Sequence, residues 1–295
     1  MCSPAVMAKV RSDLMRKGRP VSRRRILGAA GMAVAAGTFA PLAAPAQDAT
    51  PDIGSASPAA GKLTLSIGTI VDLTHTVSPT FPLYAGKQPL TIEPVVTFAE
   101  DGYYGNILRF DEHSGTHMDA PAHFAPEGAL TADELPIENF FVPLVVIDIS
   151  AKAANDADAA LTTEDVASWE AEHGEIPAGA FVAMHSGWDT RIDDPEAFIN
   201  LDSNGVQHYP GIGPDAATFL VEEREVVGVG VDTVSLDIGA STDFKSHYTL
   251  LGAGLYGLEG LANLGALPPT GTTIIVGGPK HERASGGPSR VYAVY

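Results

Sequence analysis

The chain has 295 residues, with 36 acidic against 18 basic side chains and a formal charge of −18 at pH 7. So acidic a chain is ill suited to neutralise a phosphate backbone or to sit on anionic lipid, which argues against nucleic-acid and membrane-surface partners. Its single cysteine, Cys2, excludes an internal disulfide framework, so a bound ion must be held by His, Asp and Glu, ligands that suit Zn²⁺, Mn²⁺ or Fe²⁺.

Residues 22–27 read SRRRIL, and an apolar, alanine-rich run extends from Gly28 to Ala44 ahead of Ala44-Pro45-Ala46. A basic region, a short apolar region and a small-x-small site make a secretory signal, and the paired arginines are of the twin-arginine type. A general secretory signal or an uncleaved amphipathic N-terminus would be the alternatives. The run is too short and too interrupted for a membrane span. The expectation is a signal over 1–46 and a periplasmic or secreted protein with no membrane anchor after cleavage. From residue 47 onward 10 basic and 35 acidic side chains remain, a formal charge of −25. Residues 47–62 are Ala, Ser, Pro, Gly and Asp with little pattern and read as a flexible tether. One domain is expected over 63–295.

Short runs rich in Val, Ile and Leu recur at 63–73, 90–98, 142–149, 181–184, 226–231 and 272–276, each of strand length, and the third, fifth and sixth are followed directly by Ser150, Asp232 and Gly277. Helical signals are fewer. Thr163-Glu164-Asp165 opens a helix to about His173, with Gly174 as its stop, and Pro214-Asp215 opens a second. Strands interleaved with a few helices predict a mixed α/β domain, with topology left open.

Residues 113–124 read HSGTHMDAPAHF and hold three of the nine histidines. His113, His117, Asp119 and His123 are all odd-numbered, so an extended chain would set them on one face. A straight strand would part residues four positions apart by about 13 Å, near the limit for two imidazoles sharing an ion. The chain must therefore bend between His113 and His117, and Gly115 permits it. Imidazole and carboxylate are the usual ligands of catalytic Zn²⁺ or Mn²⁺. Asp119 has two oxygens and could bridge two ions. His123 could be a further ligand or a free acid/base group.

Further on, DTVSLD at 232–237 follows an apolar run and would either face an active cleft or simply end a strand. His247 and Glu259 flank the apolar stretch YTLLGAGLYGL. A carboxylate in such company needs a cation, a hydrogen-bonding partner or an exposed turn. His185 follows a strand and could line the pocket, though a lone histidine there is more often structural, and His281 reads as a loop residue. Ser114 and Ser186 lie close to histidines but show no Ser–His–Asp arrangement.

The form H-x-G-T-H-x-D-x-P-x-H-F resembles the cyclase family of metal-dependent hydrolases, which includes bacterial kynurenine formamidase and isatin hydrolase. YPGIG at 209–213, GVGVDTVSLD at 228–237, NLGALPPTG at 263–271 and SGGPSRVYAV at 285–294 extend the resemblance through the chain. It implies a swivelling β/β/α fold, a homo-oligomer, and one or two divalent ions, Mn or Zn. It implies that His113, His117 and Asp119 hold one metal, that Asp119, His247 and Glu259 hold a second, and that His123 is the catalytic acid/base. Tyr84, in FPLYAG, stands where kynurenine formamidases carry a substrate-holding tryptophan; it could equally pack under a loop. The implied reaction is hydrolysis of an amide or cyclic amide or ester of a small molecule by metal-activated water. That departure and the expected export point away from formylkynurenine, toward another aryl or cyclic amide or a lactone. A non-catalytic metal- or ligand-binding protein on the same scaffold is the alternative.

Overall fold

Strands form where the sequence supplies β-branched and aliphatic runs between turn residues. The computed structural model describes residues 68–295 apart from 85, 86, 88 and 126, so the expected signal and tether lie outside the described residues. In chain order the strands are β1 (Ile70–Asp72), β2 (Thr91–Val96), β3 (Gly105–Arg109), β4 (His117–Asp119), β5 (Phe141–Asp148), β6 (Ala160–Leu161), β7 (Phe181–His185), β8 (Gly211–Ile212), β9 (Gly228–Val231), β10 (Tyr256–Glu259), β11 (Thr272–Gly277), β12 (Gly286–Pro288) and β13 (Arg290–Val294). The helices are α1 (Phe98–Asp101), α2 (Ser150–Ala153), α3 (Thr163–His173), α4 (Pro195–Ile199), α5 (Pro214–Glu222) and α6 (Lys245–Gly252).

Nine strands make one mixed sheet in the order β1-β13-β11-β5-β7-β9-β10-β4-β12. Its centre, β5-β7-β9-β10, is parallel, and both flanks are antiparallel. The mixed α/β expectation holds. The central strands are buried on both faces, and their side chains alternate between two cores. Val145, Ile147, Val182 and Met184 pack with Val166 and Trp169 of α3 and Ala217 and Leu220 of α5. Leu144, Val146, Phe181 and Ala183 pack with Ile274, Tyr256 and Leu258. Each such buried aliphatic side chain stabilises the fold by roughly 1.5–3 kcal/mol.

Helix α3 spans the predicted residues. Thr162 caps it and makes a reciprocal pair with Asp165, and the chain leaves it at Gly174, φ 91°. Helix α5 starts with Pro214 at its first turn, as read from the sequence. Helix α6 is not apparent from the sequence. It is eight residues long and follows Phe244, which sits at φ 50°. Its importance is positional, because it carries His247.

Residues 94–107 form a small unit of their own, comprising the end of β2, the single turn α1 and the start of β3. Thr97 caps α1 by accepting the Glu100 N–H, and Gly102 ends it at φ 75°.

Candidate metal centre

The site is built on β4 and β10. These strands pair antiparallel with His117 opposite Glu259 and Asp119 opposite Gly257. On the other side of β4, β12 pairs with it. Met118 points the opposite way from its neighbours and packs in the hydrophobic core. The period-two argument therefore holds for His117 and Asp119. It does not hold for His113, which lies before the strand, or for His123, which lies on a 3₁₀ turn over Pro121–His123. The expected bend is at Gly115, φ 73°, and a Cβ there would run into the Val77 side chain. Turns on either side of the strand, rather than a common strand face, return His113 and His123 to the site.

Five side chains converge. His113 Nδ1 is 2.6 Å from Asp119 Oδ1. His117 Nδ1–H donates to the Gly115 carbonyl at 2.9 Å, which fixes the tautomer and turns a bare Nε2 inward. That Nε2 lies 3.4 Å from Asp119 and 3.3 Å from Glu259. His247 is oriented the same way: Nδ1–H donates to Asp237 at 2.5 Å, and Nε2 faces Glu259 at 3.1 Å and Asp119 at 3.5 Å. Asp237 is held in turn by the N–H groups of Ser246 and His247 at the start of α6.

Asp119 is 1 % exposed and Glu259 5 %. Two carboxylates this deep need positive charge beside them, supplied either by protonated imidazoles or by a bound cation. His117 Nε2 and Asp119 Oδ2 are buried with no hydrogen-bond partner among the described residues. Burial works against charge on His117, yet the Asp119 and Glu259 carboxylates, which would accept from a protonated Nε2, raise its pKa to about 10. Burial likewise opposes charge on Asp119, but His113, His117 and His247 hold its carboxyl well below the usual range. Ligand atoms of His113, His117 and Asp119 lie within 4.8 Å of one another, as do those of Asp119, His247 and Glu259. Asp119 belongs to both sets, so the donors could hold one divalent ion or two sharing this carboxylate, and their oxygen and imidazole chemistry fits such ions.

His123 stands apart from both sets. Its ring stacks on His113 with centroids 3.8 Å apart and an interplanar angle of 21°. Burial pushes its pKa down to about 4, so the imidazole is neutral at pH 7. It lines the cleft.

The sequence matches the family described as "Putative cyclase" over residues 71–238. The chain belongs to the cyclase family. Isatin hydrolase of Roseibium aggregatum is 36% identical over 241 residues, 76% of this chain and 91% of that protein. A kynurenine formamidase of Salinibacter ruber is 31% identical over 202 residues, 68% of this chain and 85% of that protein. Among solved structures, isatin hydrolase A from Labrenzia aggregata bound to benzyl benzoate superposes with a TM-score of 0.72 at 38% identity, covering 77% of this chain and 93% of that one. The fold is that of these cyclase-family hydrolases.

The cyclase-family cleft here is a cavity of about 170 Å³. Tyr84 is in its wall, half-buried, with its ring 6.3 Å from that of Phe244. Phe124 lies 5.5 Å from Phe244 and 4.5 Å from His247. Phe124, Phe244, Lys87 and the orienting Asp237 are the site residues that sequence reasoning did not single out. Phe124 closes the histidine motif, and Asp237 closes DTVSLD, which is the only signal either carried. Asp232, at the other end of that segment, accepts from the N–H groups of Ser186 and Gly187 and from Ser186 Oγ. It thus holds the turn after β7 and pairs with His185 at 3.3 Å. His185 lies against Asp232, and the Ser186 hydroxyl donates to the same carboxylate. His281 is exposed on a loop.

Proposed function

We propose that the chain hydrolyses an aryl or cyclic amide of a small molecule with a divalent ion held by His113, His117, Asp119, His247 and Glu259. The observation that carries this reading is the pair of inward-facing, unpartnered ligand atoms, His117 Nε2 and Asp119 Oδ2, among two buried carboxylates. Two of its relatives are named isatin hydrolase and kynurenine formamidase. The ion, Mn²⁺ or Zn²⁺, one or two per chain, supplies carbonyl polarisation and a water acidic enough to attack at neutral pH.

The protein's own groups do the rest. Asp237 and the Gly115 carbonyl set the ligand imidazoles before any ion arrives. His123 is the acid/base: it takes a proton from the attacking water and returns it to the leaving nitrogen as the C–N bond breaks and a carboxylate forms. Tyr84, Phe124 and Phe244 hold the aryl group. No serine or cysteine nucleophile is required.

Two further readings complete this one. The exposed Ile92, Leu108 and Phe110 suit burial against a second copy, which supports a homo-oligomer. The arginines at 23–25 and the apolar run after them support twin-arginine export to the periplasm or beyond.

The decisive experiment pairs metal analysis with turnover of isatin and formanilide. Wild type is expected to bind one to two equivalents of Mn²⁺ or Zn²⁺. His123→Ala should keep the metal and lose on the order of 10²–10⁴-fold in kcat. A protein that takes up no divalent metal overturns the proposal.

A further inference from the structure

Lys87 is an unusual lysine. It is half-buried in the wall of the cleft, three residues after Tyr84, whose carbonyl accepts its backbone N–H at 3.1 Å. Among the other described cations, Lys152 pairs with Asp165 at 2.8 Å, Arg224 with Glu170 at 2.6 Å and Arg290 with Asp72 at 2.6 Å. Lys87 has no carboxylate within ion-pair distance among the described residues. Glu259, the carboxylate that lines the same cleft, is taken up by His117 and His247. Lys87 is also the one Lys or Arg side chain among the described residues lining the cleft. The same cleft is lined by the aromatic rings of Tyr84, Phe124 and Phe244.

An ammonium in a cleft lined by aromatic rings is a receptor for an anion carried on an aryl ring. It also offsets the field of a strongly acidic chain, which would otherwise repel such a substrate. Resting on the aryl amide hydrolase reading, we propose that Lys87 sets substrate specificity by pairing with a carboxylate on the ring of the substrate. The preferred substrates are aryl amides bearing a ring carboxylate, held with the ring against the aromatic wall and the amide toward His123.

The test compares formanilide with 2-, 3- and 4-formamidobenzoate, which share the amide and differ in the ring charge. The ratio of kcat/KM for the best carboxylated isomer over formanilide is expected to fall about tenfold in Lys87→Met, mainly through KM, and to be retained in Lys87→Arg. Raising the ionic strength should shrink the ratio in wild type but not in Lys87→Met. An unchanged ratio in Lys87→Met overturns the assignment. Equilibrium titration of the three aminobenzoates and aniline, with chelator present, separates this from the chemistry. If wild type hydrolyses none of the amides yet Lys87→Met weakens aminobenzoate binding at least fivefold relative to aniline, the hydrolase reading fails and the Lys87 site stands. Equal binding to both proteins removes the site whatever the turnover.

Discussion

Two groups of histidine and carboxylate side chains lie at strand ends in this chain, one around Asp119 and one around Asp232, and each could be taken for a metal site. His185, Asp189 and Asp232 also bring ligand atoms within 4.8 Å of one another. The difference lies in what the carboxylates already hold. Asp232 accepts two backbone N–H groups and the Ser186 hydroxyl, at 2.5–2.9 Å. Asp189 accepts the Asn263 N–H. Asp119 faces imidazoles alone among its hydrogen-bond partners, and one of its oxygens has none. A carboxylate saturated by fixed donors is a brace. One that faces only reversible nitrogen bases, out of water, is a ligand waiting for a cation.

That distinction can be broken most directly at His117. His117→Ala is expected to abolish metal uptake and take hydrolysis to background, whereas His185→Ala should leave metal stoichiometry unchanged; elemental analysis of both variants decides. Asp232→Ala should lower unfolding stability by about 3 kcal/mol, because three donors lose their acceptor, while metal content persists; chemical denaturation measures this. Asp237→Asn should weaken metal affinity by roughly 10–100-fold without unfolding the protein, since His247 loses the acceptor that orients it. Titration with a competing chelator reads the change.

The smallest effect concerns pH. The hydrogen bond to Asp232 raises the His185 pKa above 6.5, against the burial that lowers it. The folded state therefore binds the proton more tightly than the unfolded chain. The resulting stability is fully present below pH 6.5 and fades as the pH rises through the raised value. His185→Gln should accordingly lower the melting temperature more at pH 5.5 than at pH 9. A constant difference would mean that His185 braces the turn without its charge.

Much of this molecule is legible in its residues. The strands β5, β7, β9 and β11 follow apolar runs, and α3 carries its start and stop signals in Thr162, Asp165 and Gly174. His117 and Asp119 share a face by strand alternation, and Gly115 marks the bend beside them. Helix α6 was not legible, because eight residues offer too little periodicity and its first helical residue follows Phe244 in a left-handed conformation. Lys87, Phe124 and Phe244 were not legible either. Their meaning comes from neighbours distant in sequence.

What the sequence determined by itself was the donor chemistry and its local spacing: imidazoles and carboxylates two and four positions apart, with the glycine that lets them converge. Tertiary structure decided which donors share a centre. Pairing of β4 with β10 sets Glu259 opposite His117, and α6 delivers His247 onto Asp237, bridging positions up to 142 residues apart. Local sequence records the cost of a buried carboxylate. Only long-range strand pairing supplies the partners that make it bearable, because cross-strand register depends on the whole sheet and not on the segment that carries the acid.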